Sequence, residues 1–167
     1  MSFRDNLNFW KKKPAPPWQE RFDCARSLVL EHSADPGIDR RIDDVERSLV
    51  ESIDDQSRLE AAIQTLHPAE ATAELKQALR ERRDPTAADT PLIRTLRERH
   101  ESINDLQNRL ASLEAQQEST LADLDTLAAH LVESSMTDVA RPFEAEVDRL
   151  RADAELLRAA HAEIEHL

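Results

Sequence analysis

Glycine occurs once in this chain, at Gly37, and tyrosine not at all. A loop that cradles phosphate needs several glycines, because backbone amides must come close to the ligand; a P-loop or a dinucleotide-binding turn is therefore excluded. Cysteine also occurs once, at Cys24. A single thiol forms no intrachain disulfide and no cysteine-based zinc site, and a reducing compartment is expected. Cys24 borders the apolar face of its helix, which predicts a packed thiol. No run of about 18 apolar residues is present and the N-terminus lacks the apolar stretch of a secretory signal, so the expected location is the cytoplasm. One Glu-x-x-His pair occurs, Glu163 to His166, where a di-iron bundle needs two such pairs and two further glutamates. These absences leave no catalytic residue, no cofactor and no metal ligand to name, and the expectation is a non-enzyme.

What the chain does have is helix formers. Hydrophobic residues make up 40% and charged residues 34%, the mixture of long amphipathic helices. The formal net charge is −12, yet residues 1–18 carry Arg4, Lys11, Lys12 and Lys13 against Asp5 alone, a local +3. An acidic body repels nucleic acid and anionic lipid, so contact with either has to begin at a basic patch.

Proline cannot continue a helix interior, so the prolines punctuate the chain. Pro14, Pro16 and Pro17 make an extended linker, Pro36 with Gly37 a turn, and Pro85 and Pro91 bracket a loop. Residues 1–17 thus form a basic, aromatic-rich segment and linker, and residues 18–167 a helical domain with helices over about 18–32, 38–83 with a break near 68, 91–133 and 142–167. Trp18, Phe22, Ala25 and Val29 share one face of the first helix. Ile38, Ile42, Val45, Leu49, Leu59, Ile63 and Leu66, and then a series from Leu92 to Leu131, follow the 4-3 alternation of a heptad repeat.

Two long segments joined by a short loop fold back most economically on each other. The predicted fold is all-α: a long antiparallel coiled-coil helical hairpin, with two shorter flanking helices packing at one end to form a four-helix base. Residues 84–91 then lie at the tip of a projecting arm. Ser52, Gln56, Gln117 and Thr120 interrupt the apolar seams. With the reflection near residue 88, Gln56 faces Thr120, and Ser52 and Gln117 fall one layer to either side; polar residues gathered at one level act as a register lock. Arg99 and His161 also occupy seam positions, and are expected to reach past the seam with their polar ends. The acidic pairs Asp43–Asp44 and Asp54–Asp55 read as solvated helix faces.

Two basic patches are the candidate attachment points. In the first, Phe3, Leu7 and Trp10 share a helical face, with Phe9 adjacent and Lys11, Lys12 and Lys13 directly following. Rings beside ammonium groups suit an apolar groove on a protein or an anionic bilayer surface. The second is the arm tip, where Lys76, Arg80, Arg82, Arg83, Arg94, Arg97 and Arg99 outnumber Glu81, Asp84, Asp89 and Glu98. It suits an acidic partner, and no aromatic residue lies there to stack a nucleic-acid base. An N-terminal amphipathic segment, a turn and a long helical hairpin resemble the general plan of bacterial phage-shock and related membrane-remodelling proteins, although the lysine-proline linker and the shorter hairpin depart from that plan.

The reading favoured is a non-enzymatic coiled-coil scaffold or adaptor that binds another protein, as a monomer or a homodimer. The alternatives are a peripheral membrane-surface protein anchored through residues 1–13 at the inner face of the membrane, and, more remotely, a nucleic-acid-binding module acting through the arm tip.

Overall fold

A computed structural model describes residues 17–33, 35–82, 89–137 and 143–166. Among these, every regular element is an α-helix: α1 (Pro17–His32), α2 (Pro36–Thr65), α3 (Pro68–Arg80), α4 (Pro91–Thr137) and α5 (Glu144–Ile164).

The helix ends follow local chemistry. Asp35 caps α2, its carboxylate accepting from the Gly37 amide at 2.8 Å, while Pro36 takes the first helical position, where no amide hydrogen is needed. Gly37 suits this cap, since a Cβ there would sit 3.1 Å from the capping carboxylate. Pro68 does end one helix and start the next. His67 before it adopts a left-handed conformation with φ 49°, which turns the chain so that α3 can resume with Ala71 N–H donating to His67 C=O at 3.0 Å. Thr90 precedes α4, its hydroxyl accepting from the Ile93 amide at 3.3 Å.

The main core lies where α1, α2, α4 and α5 pack together. Phe22, Ala25 and Val29 of α1 meet Leu121, Leu124 and Ala128 of α4 within one buried cluster. That cluster also holds Ile38, Ile42, Val45 and Leu49 of α2, and Val147, Leu150, Ala154 and Leu157 of α5. Burying a Leu, Ile, Val or Phe side chain is worth roughly 1.5–3 kcal/mol each, so this cluster rather than helix propensity holds the four helices. Charged side chains tie α1 down at its edges: Arg21 bridges Glu118 and Asp125 of α4, both at 2.7 Å, and Arg26 bridges Asp43 at 2.7 Å and Glu46 at 2.5 Å on α2.

Toward the other end, α3 packs on α4, and the buried residues Ile63, Ala71, Ile93 and Ile103 lie outside the main cluster. Cross-helix bonds descend α4 as they ascend α2 and α3: Ser52 with Gln117, Gln56 with Glu114, and then Leu66 and Glu74 with Arg99. The partners therefore run in opposite directions. At 1.5 Å per residue the 47 residues of α4 span about 70 Å and the 21 of α5 about 31 Å, so more than half of α4 extends beyond what α5 can cover.

Three expectations need correction here. Leu92 is 62% exposed and its neighbour Ile93 is buried, because the seam at the start of α4 is offset by one residue from the heptad count. Cys24 is exposed rather than packed, since Phe22, Ala25 and Val29 carry the buried stripe of α1 and position 24 falls outside it. Gln56 bonds Glu114 and Glu60, at 3.4 and 3.1 Å, rather than facing Thr120. The midpoint of the Ser52–Gln117 pair falls near residue 85 rather than 88, because α4 is placed by its own packing with α5 and α1 and not by the α2 seam alone.

Candidate functional site

The residues singled out as attachment points are only partly brought together. Phe3, Leu7, Phe9, Trp10, Lys11, Lys12 and Lys13 lie outside the described residues, as does Arg83. At the arm tip, Asp89 accepts from both Arg82 and Arg97 at 3.2 Å, and the Arg82 side chain keeps only 15% exposure. Arg82 and Arg97 are thus paired within the chain, and Lys76, Arg80, Arg94 and Arg97 are exposed. Arg99 reaches past the seam as expected. Its guanidinium donates twice to the Leu66 carbonyl, at 2.6 and 3.1 Å, and once to Glu74 at 3.2 Å, satisfying a carbonyl that the α2–α3 break leaves without a helical partner.

Of the polar seam residues, Ser52 and Gln117 meet across α2 and α4. Ser52 is fully buried; its hydroxyl donates to the Leu49 carbonyl at 2.7 Å and accepts from Gln117 Nε2 at 3.1 Å. Buried Thr120 donates to the Gln116 carbonyl at 2.9 Å. Asp55, by contrast, was expected on a solvated face and has 0% exposure. The reason is that α2 packs on both α4 and α5, so its buried stripe widens from a coiled-coil seam to include Ser48 and Asp55. The signal available in the sequence was the run Ser48, Ser52, Asp55 and Leu59, spaced four, three and four residues apart along one face.

A carboxylate with no exposure needs a partner, because burying an unpaired charge is costly. His161 of α5 supplies it: Nδ1 lies 2.7 Å from Asp55 Oδ2, and the bond places the proton on Nδ1 because an ionised carboxylate only accepts. Arg58 Nη1 stands 3.5 Å from the other oxygen, Oδ1, which has no hydrogen-bond partner. His161 keeps 26% exposure, and its Nε2 lies 3.6 Å from Glu165. The hydrogen bond that His161 donates to Asp55 raises the imidazole above its ordinary pKa, with the Asp55, Glu165 and Glu51 charges adding to it, against the lowering by burial.

One further carboxyl at the α5 interface is displaced. Asp153 is pushed up to about 6, first by burial and then by a hydrogen bond and charge repulsion with Asp123 of α4. Folding therefore favours the protonated form of Asp153.

Beside the Asp55–His161 pair the surface opens. Where α5 ends at Ile164, a depression of about 490 Å³ lies between α2 and α4, floored by Leu59, Ala62, Leu106 and Ile164 and rimmed by Arg58, Asp105 and Arg109. A smaller cavity of about 280 Å³ between α4 and α5 adjoins it, sharing Arg109 and Ile164. Gln116, Leu156, Ala159 and Ala160 line it as well. Leu156 is 52% exposed, and Gln116 Oε1 is buried with no hydrogen-bond partner. The two depressions wrap the C-terminal end of α5 with apolar and small side chains, a surface on which another helix can approach closely.

Among the described residues, no three His, Cys, Asp or Glu side chains are grouped to hold a metal ion, and no helix is long and apolar enough to cross a membrane. No protein-family description matches the chain, and neither the curated proteins nor the solved structures yield a match.

Proposed function

We propose that the protein is a non-enzymatic scaffold or adaptor whose long helices pair as an antiparallel coiled-coil hairpin. The hairpin rises from the four-helix base and offers the surface around the end of α5 to a partner protein. The observation that carries this reading is the groove past Ile164. The face of α2 and α4 that α5 occupies continues beyond α5 as an open depression with an apolar floor. The occupant that fits is a helix of another protein, lying in line with α5 and extending its packing along the arm. Its apolar stripe would meet Leu59, Ala62 and Leu106, and acidic residues beside that stripe would meet Arg109 and Arg58. Ala62 favours a close approach of helix backbones because it has no side chain beyond Cβ.

The test is substitution within the groove. Ala62→Glu and Leu106→Glu put charge on its floor at positions that are exposed and half-buried respectively, so folding survives while a helix can no longer bury its apolar stripe there. The expected result is loss of a partner recovered with the wild-type protein, at a melting temperature changed by less than a few degrees. A partner that binds both variants as tightly as wild type contradicts the reading.

A further inference from the structure

A separate depression of about 310 Å³ lies between α2 and α5, with buried Val45 and Ala154 as its floor and Arg41, Arg151 and Arg158 around it. Two carboxylates also line it, each bonded to an arginine: Asp44 accepts from Arg47, outside the lining, at 3.3 Å and Glu155 from Arg151, within it, at 3.1 Å. Arg41 and Arg158 have no carboxylate within 4.0 Å in the described structure. Arg158 is nonetheless held in place. Its Nε donates to Ser48 Oγ at 3.2 Å, and the buried Ser48 hydroxyl donates in turn to the Asp44 carbonyl at 2.9 Å. The chain thus fixes one edge of the Arg158 guanidinium with a buried hydroxyl, and Arg41, also without a carboxylate partner, lines the same cavity.

We propose that Arg41 and Arg158 form a binding site for a small phosphomonoester. A guanidinium presents paired N–H donors whose spacing matches two phosphate oxygens, and a phosphate has enough oxygens and charge to engage two such forks at once, which a single carboxylate does not. The Val45 and Ala154 floor takes the organic part of the ligand. Preorganisation by Ser48 reduces the ordering cost of binding at the Arg158 side.

The experiment titrates the full chain with inorganic phosphate and with phenyl phosphate, chloride holding the ionic strength constant, and follows backbone amide resonances. Saturable shifts are expected around residues 41–48 and 151–158, with phenyl phosphate tighter than phosphate because it adds contact with the apolar floor. Arg41→Gln and Arg158→Gln each weaken binding about tenfold, the loss expected for one charge-assisted contact. Ser48→Ala weakens it less, by releasing Arg158. Arg40→Gln, an exposed neighbour that does not line the cavity, leaves it unchanged. Shifts that do not saturate, equal binding by the Arg41 and Arg158 variants and wild type, or an equal loss in the Arg40 variant overturns the assignment.

Discussion

Replacing His161 by leucine tests what holds α5 against α2. The substitution removes the only hydrogen-bond partner, among the described residues, of a carboxylate that has no exposure. Taking one member from a buried ion pair typically costs about 3–5 kcal/mol, most of it the penalty of the charge left behind. Here the imidazole retains 26% exposure and Arg58 stands 3.5 Å from the carboxylate, so the lower end, about 3 kcal/mol, is expected. For a chain of this length that lowers the melting temperature by about 6–12 °C. The double variant Asp55→Leu with His161→Leu removes both charges and should return to within about 1 kcal/mol of wild type. The sign of the pH dependence follows from the raised imidazole. Protonated His161 is favoured by folding, so its contribution is fully present below the ordinary value of 6.5 and fades as pH rises through the higher folded-state value. The gap between wild type and His161→Leu, measured by urea unfolding followed by circular dichroism, should therefore be widest below the ordinary imidazole value and narrow as pH rises through the higher folded-state value. A gap that widens with pH, or a double variant as damaged as the single one, refutes the reasoning.

Asp153→Asn should stabilise the fold at neutral pH, because the folded protein favours the protonated carboxyl and loses that contribution as pH rises through about 6. A gain of about 1–2 kcal/mol at pH 7.5, allowing for partial solvent screening, should shrink toward pH 5, as urea unfolding at the two values will show. His67→Gly relieves a left-handed backbone conformation and should raise stability by up to about 1 kcal/mol, seen as slower amide exchange at the α2–α3 break. Arg99→Ala leaves the Leu66 carbonyl without its two bonds and should cost about 1–2 kcal/mol, with exchange rising in α3 more than in α5.

The elements were legible because they depend on local chemistry. Pro36, Pro68 and Pro91 each open a helix, and Phe22, Ala25 and Val29 were readable as a buried stripe from spacing alone. Along α2 the period located Ile38, Ile42, Val45 and Leu49 correctly for a helix facing one neighbour. It failed at Asp55, which is buried because α5 forms a second neighbour, and a heptad count carries no information about a third helix. The register failed for a related reason. Gln56 meets Glu114 because the level of α4 is set jointly by three helices, and polar seam residues one or two turns apart look equally well matched in one dimension. At the arm tip a count of charges carried no information on pairing, and Asp89 bonds both Arg82 and Arg97. The groove past Ile164 had no signal at all, since it exists only where α5 stops against two other helices.

The most direct measurement for the adaptor reading is site-specific photo-crosslinking in the native cell. A photoreactive residue is placed at Ala62 or Leu106 in the groove, or at Ser27 on exposed surface of α1, and the captured segment is then titrated as a synthetic peptide against the purified chain. The account predicts that Ala62 and Leu106 capture the same segment and Ser27 does not. It also predicts that the peptide becomes helical on binding, and that Ala62→Glu weakens that binding by at least about tenfold, the 1.4 kcal/mol or more that burial of a few apolar groups supplies. Capture at Ser27 equal to that at the groove positions, or a peptide that binds Ala62→Glu as tightly as wild type, contradicts it.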